Sequence, residues 1–387
     1  MTAPFLSRML VSFTATWRAM LGDVDAILLL FVAGVIYSFF YPLPYSRESV
    51  QQVPVAVVDQ DMSAMSRQIT RYAAVHPAVD VRLVTPDLRE AQDLLWKNEI
   101  AGVLTIPTGL QGQVLGGRQA EVEISGNGVY MMMNKVALNG LAEAVGTVSA
   151  GIELKRLAAT TPSTAQTLEE RQPVNVNAVA LFNVREGYGA SLVPGVAVLI
   201  VQQTLLLAIA LMFGTWRERN TLPVERSVEG FFGMLLAFAL VAFVNCLYFF
   251  GFVLWWQDYP RAGNFGGLLL FSALYALCVA AVGMLIGTWF RTRERGVQLL
   301  LCTAMPFMFL TGLNWPVDAM PTAVQVLRWL APSTAGVEGF IALNQLGASL
   351  YQVAREAAAL GILFLAASGL GLWRWCSMPF GTTASSE

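Results

Sequence analysis

Charge is scarce in this chain of 387 residues: Asp, Glu, Lys and Arg make up 13% of it, where a soluble domain runs near ~25%. Apolar residues take the space at 56%, above the ~45–50% of soluble domains, and the two shifts together point to a membrane protein. Histidine occurs once, as His76. It precedes a proline in a loop with no catalytic partner in view and reads as a surface residue. The four cysteines, Cys246, Cys278, Cys302 and Cys376, lie in or beside apolar runs, so there is neither a disulfide framework nor a zinc spacing. A basic excess is also missing, with a net charge of −2. That excludes a nucleic-acid partner, because phosphate binding needs a concentrated basic surface. The phosphate-cradling GxxxxGKS/T pattern and the GxSxG, HExxH and kinase signatures do not occur. The sequence therefore names no catalytic residue and no metal ligand set. It also lacks a chain of intramembrane carboxylates fit to relay protons, so energy for any transport has to come from another chain.

Six apolar runs come near the roughly 20 residues that a helix needs to cross the hydrocarbon core: 24–41, 192–213, 231–256, 265–290, 297–313 and 357–373. The fifth is the weakest, being short and holding Pro306. The first ends YSFFYPLPYSR, without a small-residue cleavage pattern, and reads as retained. Arg8, Arg18, Arg217, Arg219, Arg226, Arg291, Arg293, Arg295 and Arg374 fall on one side of these runs, and Arg261, Arg328 and Arg355 on the other. The positive-inside bias places both termini and the 377–387 tail in the cytoplasm, and residues 42–190 outside. Ahead of the first span, Phe5, Leu6, Met9, Leu10, Phe13, Trp17, Met20 and Leu21 recur at helical spacing, so residues 1–23 predict an amphipathic helix lying in the interface.

Residues 42–190 hold twelve of the 24 basic and fifteen of the 26 acidic residues, which marks an aqueous domain between the first and second spans. Strand-like runs VPVAVVD, VDVRLV, IAGVLTIP, AEVEISGN and VNVNAVALF alternate with helical patterns near 62–74, 87–98, 108–115 and 129–159. The order predicts βαβ units and a mostly parallel sheet, an inserted extracytoplasmic α/β domain. The last helical pattern suits a stalk or lever. Asp59 and Asp61 in VVDQDMS read as a strand-to-helix turn with Asp61 or Ser63 as N-cap, no further ligands of recognised spacing accompanying them. Met131, Met132 and Met133 read as core, the alternative being an adaptable apolar binding surface.

Two short stretches between apolar helices mix signs: RERNTLPVERSVEG, with Arg217, Glu218, Arg219, Glu225, Arg226 and Glu229, and RTRERG, with Arg293, Glu294 and Arg295. Membrane anchoring explains the arginines but not the glutamates. Interleaved charges predict docking on a protein surface of mixed charge. Within the runs, Gln202, Gln203, Thr204 and Asn245 would be costly against lipid and are expected inside the bundle, as pathway lining or as helix–helix hydrogen bonds. Residues 314–345, with Glu338 as a candidate gate acid or helix cap, predict a pair of re-entrant half-helices.

The layout of one span, a large outer domain and five spans is similar to the ABC-2 type permeases of bacterial ATP-binding-cassette exporters, the subgroup with a large periplasmic domain often encoded beside periplasmic adaptors. The resemblance covers nearly the whole chain. It rests on VPVAVVDQDMSAMSRQI, LFNVREGYGASLVPGVA, RERNTLPVERS and LTGLNWPVDAMPTAVQVLRWLAPST. Where the family loop commonly reads like RERGTLE, Asn220 replaces the glycine and Pro223 the glutamate. The resemblance implies a non-catalytic permease subunit in the bacterial inner membrane, exporting drug-like or amphipathic molecules. It implies an ABC ATPase subunit carrying ATP and Mg, no cofactor on this chain, and a second permease copy or related chain, with a periplasmic adaptor and outer-membrane channel as further partners. On this reading the mixed-charge loops couple to the ATPase. The alternative is a membrane-anchored receptor or scaffold whose outer domain binds a protein, for which one span would suffice and the intramembrane amides would have no purpose.

Overall fold

The computed structural model describes residues 5–46, 50–158, 182–183, 187–261 and 263–377. The predicted strand VNVNAVALF, the TPSTAQTLEERQP loop and the 377–387 tail lie outside them, apart from Phe182 and Ser377. The chain divides into two units, Met1–Glu48 with Ala180–Glu387, and Ser49–Val179.

The first unit is helical. Among the described residues, five helices are long and apolar enough to cross a membrane: Val24–Tyr45, Tyr188–Glu218, Val228–Trp256, Phe265–Gly287 and Ala354–Ser377. They cover five of the six predicted runs. The remaining run forms the helix Arg293–Leu310 with Pro306 inside it. It is not among the five, because Arg293, Glu294 and Arg295 occupy its first turn and only fifteen residues remain.

Helix 188–218 is apolar around its whole circumference and buried along most of its length, the pattern of a central helix. Helices 293–310, 265–287 and Pro332–Asn344 pack on it. The N-terminal helix Phe5–Leu21 lies along helix 228–256, and the face it buries takes in only part of the predicted apolar stripe: Met20 is buried, and Phe13 and Trp17 pack half-buried against the core. Ser12 and Thr16 are buried, with their hydroxyls bonded back to the Arg8 and Ser12 carbonyls at 3.0 and 2.8 Å. Gly233 lets the two helices approach so closely that a Cβ there would meet the Met9 carbonyl oxygen at 2.5 Å. Phe5, Leu6, Leu10 and Leu21 are left outward. Between helices 293–310 and 354–377 the chain forms short turns, the helix Thr322–Leu327 with no buried residue, and the buried helix 332–344.

The second unit holds a four-stranded sheet in the order β2-β1-β3-β4, made of β1 (Val53–Asp59), β2 (Val79–Thr85), β3 (Gly102–Ile106) and β4 (Glu123–Gly126). β1 runs parallel to β2 and β3, and β4 pairs antiparallel with β3. The period of two along β1 explains the burial. Val53, Val55 and Val57 pack against Ile69 of helix Ala64–Val75 and Ala137 and Leu141 of helix Met131–Ala158, while Ala56 and Val58 face Ala91 of helix Leu88–Trp96. Burial on both faces is why β1 reads as a continuous apolar run.

Candidate functional site

The mixed-charge loop residues singled out from the sequence divide into a joined group and an exposed group. Helix 188–218 ends in a Schellman motif: the Thr221 N–H donates to the Trp216 carbonyl at 2.9 Å and the Asn220 N–H to the Arg217 carbonyl at 3.3 Å. The motif needs a left-handed residue at Asn220, whose φ is +50°. Gly and Asn tolerate that conformation best, which explains how asparagine stands where the family pattern has glycine. Val224 is buried in the helical core, so the loop is anchored at its middle. The next helix begins at Ser227, whose side chain accepts from the Gly230 N–H at 3.0 Å. Glu229 sits in that first turn, favourable to the helix dipole.

Arg293 is the junction. Its backbone N–H donates to Glu218 Oε1 at 2.9 Å; its guanidinium pairs with Asp25 and reaches Asp23 at 3.6 Å. Asp23 also caps the start of helix 24–45, accepting from the Asp25 and Ala26 N–H groups at 3.0 and 3.2 Å. Behind Arg293, Gly214 permits a backbone approach that a Cβ would block at 2.6 Å. Arg217 donates to the Thr288 carbonyl at 3.0 Å, tying the end of helix 188–218 to the end of helix 265–287. Three elements therefore meet at one residue: the start of the first span at the Arg293 guanidinium, and the end of helix 188–218 at the Arg293 backbone N–H that opens helix 293–310. Arg219, Glu225, Arg226, Glu294 and Arg295 are exposed around this junction. Asp23 and Asp25 are participants that the sequence reading passed over. An acid pair immediately before an apolar run was the available signal, since an Asp there is a helix N-cap.

Gln202, Gln203 and Asn245 make helix–helix bonds, while Thr204 bonds within its own helix. Gln202, fully buried, donates to Ser333 Oγ at 3.3 Å, and its Oε1 has no partner among the described residues. Gln203 donates to the Leu300 carbonyl at 2.6 Å, and Thr204 bonds back to Ile200 at 2.8 Å. Asn245 donates to the Leu30 carbonyl across the gap to the first span at 3.0 Å. Leu30 lies in a π-helical stretch, Leu28–Val32, whose wider winding alters the regular ladder. Glu338 pairs with Arg328, a side chain only 3% exposed, so it neutralises a buried cation and is not a free acid.

In the sheet unit, Asp59 accepts from the Asp61 and Met62 N–H groups at 3.1 and 2.8 Å and from Ser66 Oγ at 2.7 Å. Asp61 accepts from the Gly109 and Gln111 N–H groups at 2.7 and 3.2 Å. Ser63 is the N-cap. The Ser63 hydroxyl above all, helped by the backbone N–H groups at Gln111, Gly109 and Leu110, holds the Asp61 carboxyl below its ordinary range against the opposing effect of burial, which is second in size only to the Ser63 bond. His76 is not a bare surface residue: it is half-buried, with Nε2 3.0 Å from Glu143 Oε2 and Nδ1 accepting from the Ala78 N–H. Met131, Met132 and Met133 are exposed in the first turn of helix 131–158, not core. The apolar face of that helix starts only at Val136 and Ala137.

Residues 26–373 match the model of the ABC-2 family transporter proteins. The chain belongs to this family. It is 23% identical to the linearmycin resistance permease protein LnrN of Bacillus subtilis over 350 residues, covering 84% of this chain and 88% of that one. To the inner membrane transport permease YhhJ of Escherichia coli it is 24% identical, over 82% of this chain and 83% of the other. To the probable multidrug ABC transporter permease YbhR of Escherichia coli it is 24% identical over 39% and 42%. The ABC-2 protein is thus a multi-pass membrane permease of the ABC transporter class. Family membership implies pairing with an ABC ATPase subunit.

Proposed function

We propose that this ABC-2 permease is the membrane subunit of an exporter in a bacterial inner membrane, driven by a separate ATPase that docks on the mixed-charge loops. The Arg293 junction is the observation that carries the reading. Arg219, Glu225, Arg226, Glu294 and Arg295 stand exposed for a partner, while Arg293, Glu218, Asp23 and Asp25 link that surface to three helix ends. Closure of the ATPase pair pushes the exposed charges, and the junction passes the displacement into helices 24–45, 188–218 and 293–310. Two permease copies, identical or related, enclose the path, with ATP and Mg held by the ATPases.

In this reading both termini are cytoplasmic, the sheet unit is periplasmic, helix 5–21 lies in the interface, and helix 293–310 is a sixth crossing. That helix and the turn after it follow helix 188–218 from the Gly214–Arg293 contact to the Gly195–Leu313 contact. Nineteen residues at a rise of ~1.5 Å span about 28 Å, close to the ~30 Å hydrocarbon thickness. The relatives named for linearmycin resistance and multidrug transport favour drug-like or amphipathic cargo. An adaptor and outer-membrane channel would complete export across a second envelope.

The test is to capture the full chain from gently solubilised native membranes, identify co-purifying proteins by mass spectrometry and assay ATP hydrolysis in the same sample. An ABC ATPase with activity is the expected result; capture without one, also after adding candidate ATPases from the same cell, removes the reading. Arg293→Ala is expected to retain the ATPase and its hydrolysis while export per ATP falls.

A further inference from the structure

The sheet unit contains a cavity of about 350 Å³ between helix 64–75, helix Leu110–Leu115 and helix 131–158, within the ~300–1,000 Å³ range of small-molecule sites. Its wall is the open edge of the sheet core, where Ile69, Leu110 and Val148 pass from packed interior to cavity lining. Along helix 131–158 the lining runs Val145, Val148 and Ile152, then Arg156 one turn further, so one helical face changes from apolar to cationic at the mouth. Arg118 lines the same cavity. Arg156 Nη2 lies 3.8 Å from where a Cβ would stand on Gly117, which brings the two arginines to one rim. Neither is in an ion pair among the described residues. Glu153, on the same lining, is engaged in an interaction of its own.

We propose that this cavity binds a compact amphipathic anion, its apolar body on the valine, leucine and isoleucine wall and its carboxylate held by the guanidinium groups of Arg118 and Arg156. A guanidinium offers paired N–H donors that match a carboxylate, and the apolar wall selects against small hydrophilic anions. The site belongs to the sheet unit alone and stands whether or not the chain exports anything.

The test uses the full chain in lipid nanodiscs with Cys302→Ser and Cys376→Ser, which remove the exposed thiols. Ser149→Cys places a thiol on the cavity lining, and Thr147→Cys places one at an exposed position outside that lining as a control. Maleimide labelling is followed with decanoate or its uncharged analogue decanamide. Decanoate is expected to slow labelling at position 149 but not at 147, and decanamide to do neither at equal concentration. With Arg118→Gln and Arg156→Gln the decanoate needed is expected to rise about tenfold, as for loss of charge-assisted bonds. Equal protection at both positions, protection that ignores the arginines, or no protection overturns the proposal. So does a 149 thiol already unreactive without decanoate, which would mean that the protein itself fills the cavity.

Discussion

Asn220 shows how a single position governs the loop that faces the ATPase in our reading. Its φ of +50° admits glycine freely and other residues at about 1–2 kcal/mol. Asn220→Gly is expected to leave thermal stability within about 0.5 kcal/mol, and Asn220→Val to lower it by about 1–2 kcal/mol and fray the 217–221 turn, measured by denaturation in nanodiscs. Asp61 offers a second residue-scale test. Because its carboxyl titrates below the ordinary value, its bonds to the Ser63 hydroxyl and then to the 109–111 turn contribute stability that is complete above pH ~3.9 and is lost as pH falls through the lower folded value. Amide exchange at Gly109 and Gln111 is expected to be faster in Asp61→Ala than in the parent at neutral pH, with the difference closing below that window. Asp61 was visible in the sequence as turn chemistry, whereas Asn220 stood out only as a departure from the family loop pattern. The role of Asp59, which accepts three bonds within its own turn, was legible only as the absence of further metal ligands.

At the level of elements, helix 332–344 tests how a buried ion pair behaves in this bundle. Arg328 is nearly fully buried against Glu338, and Arg328 and Arg355 stack on Trp329 at 5.4 and 4.5 Å, the latter pair in cation–π range. Removing one partner strands a buried charge. Glu338→Ala is expected to cost about 3–5 kcal/mol, and Glu338→Ala with Arg328→Met considerably less; unfolding of the three variants in one detergent separates the outcomes. The helices themselves were legible because 20-residue apolar runs carry their own signal. The faces they bury were legible only in part, Met20 of the predicted stripe being buried. Helix 5–21 turns Ser12 and Thr16 inward because Gly233 allows close backbone approach, which periodicity of large apolar residues cannot reveal. Likewise, Gln203 and Asn245 bond to carbonyls of neighbouring helices, a choice set by packing and not by residue type.

For the whole molecule, the layout of spans and sheet unit follows from where charge is concentrated, and the parallel order of β1, β2 and β3 follows from alternation of strand and helix patterns. The Arg293 junction was half-visible: Arg293 and Glu218 stood out by mixed charge, whereas Asp23 and Asp25 come from the other end of the chain and meet them only in the fold. The account rests on the exposed loop charges being the ATPase docking surface, and one measurement addresses that directly. The affinity of the co-purifying ATPase is determined for the nanodisc-embedded permease carrying Arg219→Glu, Glu225→Lys and Arg295→Glu together, beside a control reversal, Arg89→Glu, in the sheet unit. The account predicts at least about tenfold weaker binding for the triple variant and parental affinity for the control; parental affinity for both would contradict it.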